Sequence, residues 1–158
     1  MNKIFLRNFK SEDLLVVEEY VTSKKVAKFL TWKAYSNKDE ILDYFQKALN
    51  LNKYPNEFLI IMNNNNAIGT THIIFRGEEI TQIGFGILPK YWNQGIGSLI
   101  LPAIIKYIKK SEFYEKSKII CADISIDNIA AIKIFIKNNF ILYKQNFQPN
   151  RDRYIYKL

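Results

Sequence analysis

The stretch Thr81–Lys110, TQIGFGILPKYWNQGIGSLILPAIIKYIKK, decides how the rest of this chain is read. Thr81 to Leu88 is apolar, β-branched and aromatic, the composition of a strand buried on at least one face. Pro89 has no N–H to offer a ladder, so regular pairing is expected to stop there. Ser98 to Lys110 then changes to helical spacing. Leu101, Ile104, Ile105 and Ile108 share one face, and Lys106, Lys109 and Lys110 gather near the end, where cations suit the helix dipole. Gly95-Ile96-Gly97 joins loop to helix.

That junction has the makings of an anion site. The first amides of a helix have no partners within it and lie at the positive end of its dipole. Two glycines remove the Cβ atoms that would hold a ligand off the backbone, so a phosphate or pyrophosphate could bond the amides around Gln94 to Ser98. Ile100 stands where a third glycine would complete GxGxxG, which disfavours a dinucleotide, and GxxxxGK[ST] is absent. The competing reading is a tight turn that uses glycine for geometry alone.

Working outward, 158 residues with 48% hydrophobic composition suit a packed domain, taken as one domain over residues 1–158. No run of about 18 apolar residues exists to span a membrane, and MNKIFLRNF enters strand-like sequence without a signal-peptide pattern. The single Cys121 has no internal disulfide partner, and no Cys/His cluster suggests a metal. A soluble cytoplasmic protein is expected. The net charge of +8 raises nucleic acid as a partner. The lysines are dispersed, however, with no run of five or six like charges and no aromatic-interleaved RNA motif, so nucleic acid is disfavoured.

Before the central stretch, residues 3–9 alternate as a first strand. Ser11 is expected to cap a helix with a Leu14, Val17, Val21 stripe, and a second short helix is expected within Ser23–Leu30. Asn37, with Glu40 three residues on, resembles a capping box for a helix carrying Ile41, Leu42, Phe45, Ala48 and Leu49. Glu57–Met62, Ala67–Arg76 and Ile80–Leu88, joined by tight turns, form an antiparallel meander with the lone His72 on its middle strand. After the central helix come a strand at Lys118–Ile126, a helix at Ile129–Asn138 with Asp127 or Asn128 as cap, and strands at Phe140–Phe147 and Arg153–Leu158.

Two segments carry a family resemblance. Tyr91-Trp92-Asn93-Gln94-Gly95-Ile96-Gly97 after Ile83-Gly84-Phe85-Gly86-Ile87 resembles the acetyl-CoA signature of the GNAT acetyltransferases, in the branch of the RimJ/RimL ribosomal-protein N-acetyltransferases. Asn128, Ala131, Lys137, Asn139 and Phe140 match a second pattern of that branch. There Asn139 replaces a glycine, as the residue best able to do so in a left-handed helix C-cap.

The resemblance implies an α+β, α/β/α sandwich whose mixed, mostly antiparallel sheet of six to seven strands is flanked by helices. It also implies acetyl-CoA as co-substrate, without a metal. Gln82–Ile87 should splay from Ile119–Ser125, with acetyl-CoA in the gap. Phe85, Gly86 and Ile87 would hold the pantetheine arm, and the amides of Gln94, Gly95, Ile96, Gly97 and Ser98 the pyrophosphate, with Trp92 and Asn93 as further cofactor-binding positions. Asn128 and Phe135 would lie by the arm, and Phe29, Trp32 and Tyr35 on the acceptor side.

The catalytic assignment departs from the family. Gln82 stands where many relatives have Glu, Phe135 where a Tyr acid often falls, and Ala131 where Ser is frequent. Gln82 and Asn128 remain the candidate catalytic positions. Deprotonation of the amine is expected through water with catalysis by proximity, or through Glu57, Glu79 or His72. Three functions follow: an N-acetyltransferase acting on a protein N-terminus or small primary amine, an acetyl-CoA-binding protein with little activity, and a basic RNA- or ribosome-associated module. A homodimer is left open.

Overall fold

The computed structural model describes residues 2–158. The elements run β1 (Ile4–Asn8), α1 (Leu14–Val21), α2 (Lys24–Ala27), α3 (Lys38–Asn50), β2 (Asn52–Lys53), β3 (Asn56–Asn63), β4 (Asn66–Phe75) and β5 (Ile80–Ile87). They continue with α4 (Gly97–Ile108), α5 (Glu112–Lys116), β6 (Ile119–Ser125), α6 (Ile129–Lys137), β7 (Ile141–Gln148) and β8 (Arg151–Lys157). All eight strands join one sheet in the order β1-β3-β4-β5-β6-β8-β7, with the two-residue β2 beside β3. Every pairing is antiparallel except β5 with β6. The two-residue β2 takes the sheet beyond the expected six to seven strands.

The FLIIM run of β3 shows how pattern becomes layer. Leu59 and Ile61 pack on one face with Ile100, Leu101, Ile104 and Ile108 of α4. Ile60 and Met62 pack on the other with Val17 and Val21 of α1 and Ile41, Phe45 and Ala48 of α3. A strand covered on both faces loses its polar alternation, and β3 reads as a near-continuous apolar run for that reason. The result is a helix–sheet–helix sandwich. Its α4 passes through Pro102, which lies on the exposed side and leaves one helical hydrogen bond unmade.

Local signals held where side chains could cap their own helix. The Asn37 carboxamide accepts from the Glu40 amide at 2.9 Å, and the Ser23 hydroxyl from the Val26 amide at 3.3 Å. Ser11 is not a cap: it opens a one-turn 3-10 segment, Ser11–Asp13, before α1. Asp13, the residue just before α1, makes no cap bond to it either. Its carboxylate accepts from the Lys10 amide at 2.8 Å and from both terminal nitrogens of Arg7 at 2.7 Å, with only 3% of the residue exposed. A bidentate pair needs Arg7 on β1, which a cap rule acting on neighbouring residues does not see.

Replacing Asp13 by Ala strands the half-buried Arg7 guanidinium and frees the Lys10 amide. Urea unfolding should show a loss of about 2–4 kcal/mol. Ser11→Ala should stay within about 0.5 kcal/mol of wild type.

Candidate functional site

The sheet is interrupted at its middle. β5 pairs with β6 only through Ile80–Ile119, Thr81–Ile120 and Gln82–Cys121, although both strands continue beyond. From Ile83 onward the edge of β5 facing β6 has no ladder partner, and a V opens between the strands. Backbone groups left unpaired at such an edge are free to bond a ligand lying along it.

A polar network closes the throat of the V. The Gln82 carboxamide accepts from Arg76 Nε at 2.7 Å and donates through Nε2 to Asp123 Oδ2 at 3.2 Å. Arg153 grips the same carboxylate with Nε at 2.6 Å and a terminal nitrogen at 2.8 Å. The Asp123 side chain is only 5% exposed. Arg153 in turn lies 3.4 Å over the ring of Phe147. Arg76 hands a cation's hydrogen bond to Gln82, which hands one to an anion; a neutral amide can do both, and an ionised carboxylate cannot.

Two cavities meet at the V. One, of about 430 Å³, is lined by Phe85, Gly86, Ile87, Trp92 and Asn93, and by Gly95, Gly97, Ser98, Asn128 and Phe135. The other, of about 460 Å³, lies on the α1 side and includes Trp32, His72, Arg76, Gln82, Asp123 and Arg151. Phe29, Phe85, Asn128 and Phe135 border both. Phe85 and Phe135 stack at 5.9 Å, so a flat apolar wall stands where the cavities join.

The loop before α4 has the backbone of an anion cradle. The Trp92 amide donates to the Pro89 carbonyl at 3.1 Å and the Ser98 amide to Gly95 at 3.2 Å. Between them, among the described residues, the amides of Asn93, Gln94, Gly95, Ile96 and Gly97 have no acceptor in the chain. Asn93 and Gly95 have φ of 59° and 72°, and nothing lies within 4 Å of where a Cβ on Gly95 would stand. Alternating left- and right-handed residues point successive N–H groups into one concavity. At Gly97 a Cβ would come within 2.8 Å of Ile134 Cδ1, so glycine also lets α4 approach α6.

Two expected residues do not line the cleft with their side chains. Gln94 turns back to the Lys90 carbonyl at 2.7 Å, and Ile96 is buried in the core. Asn128 divides its carboxamide: Oδ1 accepts from the Ala131 amide at 3.1 Å as the cap of α6, and the side chain borders both cavities. Trp92 anchors its indole N–H on the Ile87 carbonyl at 2.9 Å. Of the three residues expected on the acceptor side, Phe29 and Trp32 line the α1-side cavity, whereas Tyr35 packs behind against Trp32 and Tyr44.

The three titratable candidates separate by position. Glu57 is buried on β3 and accepts from the Tyr107 hydroxyl at 2.6 Å, outside both cavities. Burial pushes its carboxyl up, against the pull of that hydrogen bond. Glu79 pairs with Lys118 beyond the closed end of the V. Only His72 reaches the α1-side cavity, where burial, with the nearby Arg76 cation, lowers it to about 4. Its ring occupies the place of a Cβ on Gly84, 2.3 Å away. At neutral pH the imidazole is uncharged and a weak base. Asp123 was missed because its spacing from Gln82 and Arg153 carries no local pattern.

The family model for the acetyltransferase (GNAT) domain matches residues 3–141, and the chain belongs to that family. It is 28% identical over 109 residues to the uncharacterized N-acetyltransferase YnaD of Bacillus subtilis, an alignment covering 66% of this chain and 61% of that protein. Solved structures share the fold. The RimL ribosomal L7/L12 α-N-protein acetyltransferase with coenzyme A superposes at TM-score 0.81 with 17% identity, covering 98% of this chain and 94% of that one. A spermidine N-acetyltransferase from Vibrio cholerae with CoA and spermine does so at 0.79 with 14% identity, covering 98% and 95%. No group of three or more His, Cys, Asp or Glu residues placed to hold a metal is found among the described residues.

The lowered His72 sets an acid limit on stability. The unfolded chain takes up a proton near pH 6.5 that the folded chain refuses until about 4. Stability is therefore full above 6.5 and falls as pH drops toward 4, by up to about 3 kcal/mol. His72→Gln should flatten that part of a urea-unfolding series between pH 7 and 4. An unchanged slope would place the acid sensitivity elsewhere.

Proposed function

We propose that this protein is an acetyl-CoA-dependent N-acetyltransferase acting on a primary amine. The observation that carries the reading is the run of unpartnered amides from Asn93 to Gly97 beside a V that leaves the β5 edge unpaired. A diphosphate fits those amides, which combine the start of α4 with left-handed Asn93 and Gly95. An extended amide-bearing chain fits the free edge of β5 at Phe85, Gly86 and Ile87. Acetyl-CoA, when bound, would supply an acetyl group on a thioester whose C–S bond breaks as the C–N bond forms, CoA leaving as the thiol with the proton that the acylated nitrogen sheds.

The chain's own residues then position and exclude. Phe85 and Phe135 wall the junction of the cavities and keep water from it. The Asn128 side chain stands at the same junction, with its oxygen committed to the cap and its amide N–H groups free to donate. Gln82 stabilises the throat and is no base, since its carboxamide carries no proton-accepting charge. Among the described residues, the cavities are lined by no carboxylate but Asp123, which is fully paired and so not free to deprotonate the incoming ammonium. The cations of the cavity instead lower the ammonium's own pKa, and water takes the proton. Catalysis then rests on proximity, which can supply several kcal/mol.

Thermal unfolding with and without acetyl-CoA tests this. At about 100 times its dissociation constant the ligand should stabilise wild type by roughly 2.7 kcal/mol. Ser98→Asp puts an anion at the start of α4, which suits the helix dipole and should leave the free protein within about 1 kcal/mol. The same anion should weaken acetyl-CoA at least about tenfold, a loss of roughly 1.4 kcal/mol. Absence of any shift in wild type would sink the reading.

A further inference from the structure

The charges of the α1-side cavity limit what can enter it. Its lining includes two arginines, Arg76 and Arg151, and one carboxylate, Asp123. That carboxylate is fully engaged: Oδ1 accepts from Arg153 Nε, and Oδ2 from a terminal nitrogen of Arg153, from Gln82 and, at 3.5 Å, from Gln148. Neither lining arginine has a carboxylate partner. Arg151 gives its two terminal nitrogens to backbone carbonyls, those of Asp123 at 3.1 Å and Phe29 at 2.7 Å. Arg76 bonds Gln82 through Nε alone, and its terminal fork has no acceptor among the described residues. Aromatic rings of Tyr20, Trp32, Tyr44 and Phe58 form much of the remaining wall.

A polyamine or an amino sugar brings several ammonium groups and needs free carboxylates to replace their water. This cavity has none, and its cations repel. A guanidinium fork without an acceptor is suited instead to a carboxylate or phosphate, which it can bind with two parallel hydrogen bonds. We propose that the acceptor is an amine carrying an anionic group close by, with Arg76 as the residue that binds the anion and Arg151, on β8 and held by the Asp123 and Phe29 carbonyls, adding positive charge beside it. This rests on the acetyltransferase reading and narrows its acceptor. The shared chemistry could come from a small amino acid or phosphoamine, or from a peptide whose amino terminus is followed by acidic residues.

Calorimetric binding to the CoA-saturated protein separates these, with the thermal shift by acetyl-CoA as the independent report on the cofactor site. The probes are matched pairs: L-aspartate against its diamide, phosphoethanolamine against ethanolamine, and the peptide Ser-Asp-Asp-Glu against Ser-Asn-Asn-Gln, with spermidine alongside. The proposal expects at least one anionic member to bind about tenfold or more tighter than its neutral partner, and spermidine to bind more weakly than that member. The pair that discriminates identifies the source. Arg76→Gln should erase the preference while keeping the acetyl-CoA shift. Lys110→Gln, two residues beyond the far end of α4, should keep both and so excludes the overall charge of +8 as the cause. Neutral amines or spermidine binding as well as the anionic ones, or no anionic probe binding at all, would overturn the proposal. If acetyl-CoA still stabilises the protein in that case, the acetyltransferase reading stands without it.

Discussion

The parting of β5 from β6 is the constraint on which the rest of this structure depends. A parallel pair that stops after Gln82 and Cys121 leaves two strands diverging inside an otherwise continuous sheet. Such a gap would expose backbone polar groups at the centre of the molecule unless something occupies it or water reaches it. Phe135 and Phe85 fill its floor on one side, and the Gln82–Asp123–Arg153 network ties it shut at the narrow end. What remains open is a passage from the loop before α4 to the cavity beside α1.

That network also accounts for the glutamine. A carboxylate at position 82 would face Asp123 across a hydrogen-bond distance, and two carboxylates so placed cannot both ionise without cost. A glutamine accepts from Arg76 and donates to Asp123 at once. The acidic group of this site therefore sits on β6, held by Arg153 from the neighbouring β8. It contributes order and not a free base. The cavity beside it is cationic as a consequence, and that follows from where the charges are paired, not from their overall number.

Much of the fold was legible locally. The amphipathic stripe of α3 and its Asn37 cap, the meander of β3, β4 and β5, and the glycine turn into α4 all depend on residues within one or two turns of each other. Periodicity and φ preference record such contacts directly. Ser11 shows the limit. It has the composition of a cap, yet it caps nothing, and Asp13 nearby gives its carboxylate to Arg7 arriving from β1 and to the Lys10 amide. The short α5 and β2 were not anticipated either; each is too brief to carry a period of its own.

The sequence by itself determined the layers, the anion-suited turn and the family, because each is written in neighbouring residues or in motifs of fixed spacing. Only the tertiary structure decided how the site is charged. Gln82 meets Asp123 across 41 positions, and Arg151 reaches the Phe29 carbonyl across 122. His72 gains its place only because Gly84, opposite it on β5, has no Cβ to collide with the imidazole. Contacts of that span are fixed by strand order and register, and no local pattern in the chain encodes them.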